Sequence, residues 1–111
     1  MISDAEIEAA KDYLFADPHP VAIAEWAVSN AKVALDHRRA EIVHGCNEKL
    51  TVAKLDARVA LDEQYQELAR KLLLAEKELT NEKARRTAQA TLIEMWRTEQ
   101  SNARELGKAF R

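Results

Sequence analysis

The sequence predicts an all-α protein: a long antiparallel helical hairpin with a short N-terminal helix and a short connecting helix, paired with a second copy into a dimeric helical bundle. Three observations carry this reading. The stretch Leu61–Leu106 contains no proline and no glycine and is dominated by Ala, Leu, Glu, Lys, Arg and Gln, the strong helix formers. The whole chain of 111 residues holds two glycines and two prolines, too few for the turns of a β-rich fold. Elsewhere, apolar residues recur at i, i+3 and i+4.

One domain is the expectation for this length. Hydrophobic residues make up 47% but aromatic residues only 5%. Much of the apolar content is alanine, which lets helices approach closely but buries little area. A thin seam is therefore expected instead of a globular core. A charged fraction of 32% suits long, solvent-exposed helices.

The first helix is expected over about 4–16. Ser3 and Glu6 have capping-box spacing, and Ile7, Ala10, Tyr13 and Leu14 recur on one side, with Phe15 extending it. So short a helix is marginal in water and must pack through Ile7, Leu14 and Phe15. Asp17-Pro18-His19-Pro20 is the clearest punctuation. Residues before proline are driven from the α region, although Asp17 could also cap a helix with Pro18 at its first position.

The second helix is expected over 19–48, through Ile23, Trp26, Ala27, Ala31, Ala34, Leu35 and Ile42. The large side chain of Trp26 is expected to bury against the tip of a neighbouring helix. Gly45 is either a C-cap or a tolerated glycine. Thr51 reads as the N-cap of a connecting helix over 51–60, and Asp62 as the N-cap of the long helix over 62–106.

Along the long helix, Tyr65, Leu68, Leu72, Ala75 and Leu79 step by three and four residues, like a heptad seam. The register then fails. Glu82, Arg86 and Gln89 intervene before Ile93 and Trp96. Either the stripe drifts around one continuous helix, or the helix breaks at Thr80–Asn81. The lack of glycine or proline across Glu76–Lys83 favours continuity. Gly107 is expected to end it.

Read as one rod of about 45 residues, this helix is about 68 Å long. The second helix covers about 30 residues, so about 15 residues, or roughly 20 Å, are left unmatched. That overhang is the argument for a homodimer. Tyr65, Leu68, Leu72, Leu79, Ile93 and Trp96 are the candidate oligomer or partner interface.

Charge is unevenly distributed. Met1–Leu61 carries ten acids against seven bases, Asp62–Glu82 six against three, and Lys83–Arg111 three against seven. The formal net charge of −2 argues against a general nucleic-acid binder. Lys83, Arg85, Arg86 and Arg97 in the basic end are still candidate contacts to a phosphate backbone. Asp4, Glu6, Glu8, Asp12 and Asp17 form a candidate acidic surface.

No catalytic or metal-binding motif is present, and no cofactor is expected. His37 and His44 are seven residues apart, about 10 Å along a helix, and no further ligand joins them and Cys46 at helical spacing. There is no HExxH and no nucleophile motif, and glycine is too scarce for a phosphate loop. The start of the chain lacks the pattern of a signal peptide, and no apolar window reaches the length of a membrane span. A cytoplasmic, non-enzymatic protein is the expectation.

The stretch Leu61-Asp62-Glu63-Gln64-Tyr65-Gln66-Glu67-Leu68, followed later by Thr91-Leu92-Ile93-Glu94-Met95-Trp96-Arg97-Thr98-Glu99-Gln100-Ser101-Asn102, resembles a group of small helical proteins encoded by bacteriophages and prophages. These often sit near single-strand-annealing recombination genes. In that group a tyrosine opens the long helix and an Ile-Glu-x-Trp-Arg segment closes it. The resemblance covers roughly Ala31 to Arg104, and the acidic segment before Pro18 lies outside it. It implies no catalytic residue. It implies an interaction module acting on a host or phage nucleic-acid-processing protein. The alternatives are a DNA-binding recombination accessory using the basic end, and a purely structural oligomer.

Overall fold

A computed structural model describes residues 1–47 and 49–109. They form four helices, α1 (Asp4–Leu14), α2 (Pro20–His44), α3 (Val52–Leu61) and α4 (Glu63–Ala109), and contain no strand. Among the described residues no helix is long and apolar enough to cross a membrane. The contacts divide the chain into two compact units. One brings Met1–Ile23 together with the end of the chain from Asn81; the other is Ala24–Thr80.

The Ala24–Thr80 unit is a helical hairpin with α3 at its turn. α2 contributes Ala24 and Val28, both buried, with Ala27, Ala31, Ala34, Leu35 and Ile42 half-buried beside them. α4 contributes Tyr65, Leu68, Leu72, Ala75 and Leu79, all half-buried. Alanines along α2 leave room for close approach but little area to bury, so the seam is thin.

Polar contacts hold the turn. Thr51 caps α3, its hydroxyl accepting from the Lys54 amide at 3.3 Å. Asp62 ends one helix and begins the next: its amide donates to the Val59 carbonyl, and its carboxylate accepts from the Tyr65 amide at 2.8 Å. The same carboxylate receives both arms of the Arg38 guanidinium, at 2.9 and 2.8 Å. Such a planar pair is among the stronger charge-assisted contacts. Together Arg38 and Tyr65 hold the Asp62 carboxyl below the usual carboxylate range. Arg39 pairs with Asp56 at 2.8 Å. Both members of the Arg38-Arg39 pair are therefore engaged within the hairpin.

In the other unit, α1 lies on the distal part of α4. Ile7, Ala10 and Ile93 form a small buried cluster, bordered by Ile2, Leu14, Leu92 and Trp96. Ser3 caps α1 by accepting from the Glu6 amide at 3.2 Å, and the Ile2 amide donates to Glu99 at 3.3 Å.

α4 is continuous through Thr80–Asn81. It also continues through Gly107 to Ala109, where the sequence suggested an end. A glycine stops a helix by turning left-handed after the last turn, and no described glycine has positive φ. α1 stops at Leu14 instead of residue 16.

α2 begins at Pro20, the second proline, and stops at His44. His19 is its cap: Nδ1 accepts from the Val21 amide at 3.0 Å and the His19 carbonyl accepts from Ile23. The Asp17–Pro18 bond is cis. At the other end the Gly45 and Cys46 amides bond to Glu41 and Val43 carbonyls in a turn. The expected end at residue 48 falls on Glu48, outside the described residues.

Two aromatic side chains expected inside lie outside. Trp26 is 68% exposed and Phe15 is 81% exposed. At 100° per residue, Trp26 falls on the side of α2 opposite Ala24, Val28 and Ala31. Phe15 follows the last helical residue of α1 and leaves its packed face.

Candidate functional site

The richest constellation of side chains is where α1 meets the distal part of α4. Tyr13 is buried, and its hydroxyl donates to Glu82, 2.7 Å from Oε2. The Arg85 guanidinium lies over the Tyr13 ring, 4.3 Å from its centre, and the His19 ring meets it edge-on at 5.1 Å. Burial and the bond to the Glu82 carboxylate raise the Tyr13 pKa. Tyr13 is thus a peg whose polar tip is satisfied, as a buried phenol requires.

Beside this peg the surface sinks into two shallow, adjoining depressions. The larger, about 580 Å³, is lined by Leu14, Arg86, Thr87, Ala90, Thr91 and Glu94. The smaller, about 210 Å³, shares Leu14, Ala90 and Glu94 and adds Lys11, Phe15, Ile93 and Arg97. The floor is apolar, because Ala90 is short and leaves half-buried Leu14 accessible beside it, with an edge of the buried Ile93 below. The exposed Phe15 stands at one edge. Lys11, Arg86 and Arg97 supply positive charge around it, against the single carboxylate of Glu94, which pairs with Arg97 at 2.9 Å.

Of the four basic candidates, Arg85 is laid over Tyr13 and lies 4.0 Å from Glu82, and Arg97 is tied to Glu94. Arg86 and Lys83 are exposed. The acidic candidates Asp4, Glu6, Glu8, Asp12 and Asp17 are all exposed. Asp4 and Glu6 sit in the first turn of α1, where the helix dipole favours them, and Glu8 is 4.0 Å from Lys11.

No protein-family model, curated protein or solved structure matches the chain.

The candidate interface residues of α4 face inward within the chain. Tyr65, Leu68, Leu72 and Leu79 are half-buried in the hairpin. Ile93 is buried against α1, and Trp96 borders the same cluster, with Lys11 Nζ 5.6 Å from its ring centre. The stripe that sequence periodicity singles out is covered at Ile93 by α1 itself.

His37 lies 3.3 Å from Glu41, and Cys46 accepts a hydrogen bond from Arg58 at 3.1 Å. Among the described residues, no three His, Cys, Asp or Glu side chains are grouped so as to hold a metal ion. The depression itself was missed by sequence reading, because it arises from Leu14 and Ala90, residues about 75 positions apart in the chain. Its only sequence signal is the small Ala90 between cations on one side of α4.

Proposed function

We propose that this protein is a helical protein–protein interaction module whose α1–α4 surface receives an acidic helical segment of a partner protein. The observation that carries this reading is the combination of an apolar floor, Leu14, Ala90 and Ile93, with a positive rim, Lys11, Arg86 and Arg97. A partner helix with apolar anchors at i and i+4 would seat them along the floor and beside Phe15, in the helix-in-groove manner. Acidic residues flanking its anchors would meet the rim. The resemblance to small phage-encoded helical proteins suggests a nucleic-acid-processing protein as the partner.

A phosphate backbone would use the same cations but has no need of the apolar floor, which is why protein is preferred to DNA. The test compares three labelled probes against the full chain by fluorescence anisotropy. They are a designed helical peptide with leucine anchors and glutamate flanks, the same peptide with lysine flanks, and a 20-base-pair DNA duplex. The glutamate peptide should bind best and weaken several-fold on Arg86→Glu and on Phe15→Ser. Tighter binding of the duplex, with steep salt dependence, would replace this reading with the DNA one. Equal affinity for the two peptides, or none for either, would overturn it.

A further inference from the structure

A second surface lies on α2, on the side turned away from its own hairpin. Trp26, Asn30, Val33, His37 and Ala40 share it, and all five are exposed. Trp26 and Val33 are 68% and 67% exposed. Their steps are four, three, four and three, the spacing of a coiled-coil seam. None of the five carries a fixed charge; Asp36 and Glu41 flank the seam, Glu25 lies a little further out, and Lys32 and Arg39 lie well round toward the hairpin side. A solvated helix face normally carries its charges in the middle. This stripe carries none along its centre and leaves Trp26, the largest side chain of α2, in the open.

We infer that this seam docks on the same seam of a second copy of the chain, antiparallel, about a two-fold axis passing between residues 31 and 32. The inference goes beyond the function proposed above and does not rest on it. Flanking charge decides the direction. In a parallel pair, Asp36 would face Glu41 of the second copy, an acid against an acid next to the seam. In the antiparallel pair Asp36 meets Ser29 and the alanines Ala27 and Ala34 meet one another, so no like charges are opposed.

The layers then fit. Trp26 lies opposite His37 of the second copy, ring against ring, and Val33 lies opposite Asn30. The two Asn30 side chains straddle the two-fold axis, staggered by about 4.5 Å along the helix direction, within reach of a mutual hydrogen bond. A polar pair at one seam position sets register at some cost in stability. The seam Trp26–Ala40 spans about 21 Å. With two tryptophans it would bury roughly 800 Å² in total, less than a standard stable interface. The dimer should therefore exchange with monomer as concentration falls.

The test is sedimentation equilibrium on the full chain across a concentration series, with Val33→Asp beside the wild type. The wild type should pass from a mass of 12.6 kDa to twice that as concentration rises. Val33→Asp should stay at the monomer mass with an unchanged helical circular dichroism spectrum, because Val33 is 67% exposed and belongs to no buried cluster among the described residues. Orientation is read by mild oxidation of an equimolar mixture of Ser29→Cys and Asp36→Cys, each in a Cys46→Ser background. The mixed disulfide should exceed both symmetric ones. A monomer at all concentrations, a dimer indifferent to Val33→Asp, or dominance of the symmetric products would each overturn the inference. Arg86→Glu, which addresses the α1–α4 depression, should leave the dimer intact.

Discussion

Replacing Ile7 by alanine tests whether the small buried cluster of Ile7, Ala10 and Ile93 holds α1 in place. Ile7 is 2% exposed and packs with Ala10 and Ile93. The change removes three carbons, about 2.4 kcal/mol at ~0.8 kcal/mol for each buried methylene. The cavity term should be small, because the neighbours Ile2, Leu14, Leu92 and Trp96 are only half-buried and can settle inward. The expected loss is thus about 2–3 kcal/mol, the lower part of the range for such truncations. α1 has 11 residues and cannot persist undocked, so the loss should appear as local unfolding.

Amide hydrogen exchange is the assay. A loss of about 2 kcal/mol corresponds to roughly 30-fold weaker protection at the α1 amides. Trp96 emission gives a second readout, taken in a Trp26→Phe background so that the exposed tryptophan is silent. It should shift to the red as α1 leaves. Phe15→Ala is the control: at 81% exposure it should change stability by less than about 0.5 kcal/mol. The packing argument fails if Ile7→Ala keeps wild-type protection in α1, or if Phe15→Ala loses as much.

Three further outcomes are expected. Tyr13→Phe should weaken α1 docking by about 1–2 kcal/mol, the worth of a hydrogen bond to a charged acceptor in a partly exposed site, read by the same exchange experiment. Because the Tyr13 pKa is raised on folding, its contribution is complete below the ordinary tyrosine pKa and is lost as pH rises through the folded value; pH titration of Trp96 emission should show α1 loosening in strong alkali, and Tyr13→Phe should remove that transition. Asp62 behaves in the opposite sense, its pKa being lowered by Arg38 and the Tyr65 amide, so its contribution is present above the ordinary carboxylate pKa and is lost as pH falls through the folded value; thermal melts in acid should fall more steeply for the wild type than for Asp62→Asn. Gly45→Ala and Gly107→Ala should act in opposite directions in thermal melts or helicity, because a Cβ at Gly45 would sit 2.9 Å from the Glu41 carbonyl oxygen while one at Gly107 meets nothing within 4 Å; the first should destabilise by about 1 kcal/mol and the second should raise helix content.

Local chemistry was the most legible part of the sequence. Ser3, Thr51 and Asp62 cap the helices they were expected to cap, since a side-chain oxygen three residues before an amide is a strictly local device. The continuity of α4 was legible for the same reason. Facing was less so. Tyr65, Leu68, Leu72 and Leu79 do turn inward, but α2 is rich in alanine, which marks no side clearly. The buried residues there proved to be Val21, Ala24 and Val28, and the aromatic Trp26 pointed the reading to the wrong side. The His19 cap was hidden because histidine is not a usual capping residue. The Tyr13–Glu82–Arg85 contact joins groups 69 residues apart, and no pattern within either helix foretells it.

That distance has a consequence for a chain made from one end. Tyr13 emerges 69 residues before Glu82, which at a synthesis rate of about 5–20 residues per second is a wait of roughly 3–14 s. The Ala24–Thr80 hairpin is one contiguous segment and can form in that interval. Ile7, Ala10 and Tyr13 cannot find their cover until the far end of α4 has left the ribosome. α1 is thus made well before the residues that cover it, and its small apolar face stays open to other occupants until they follow.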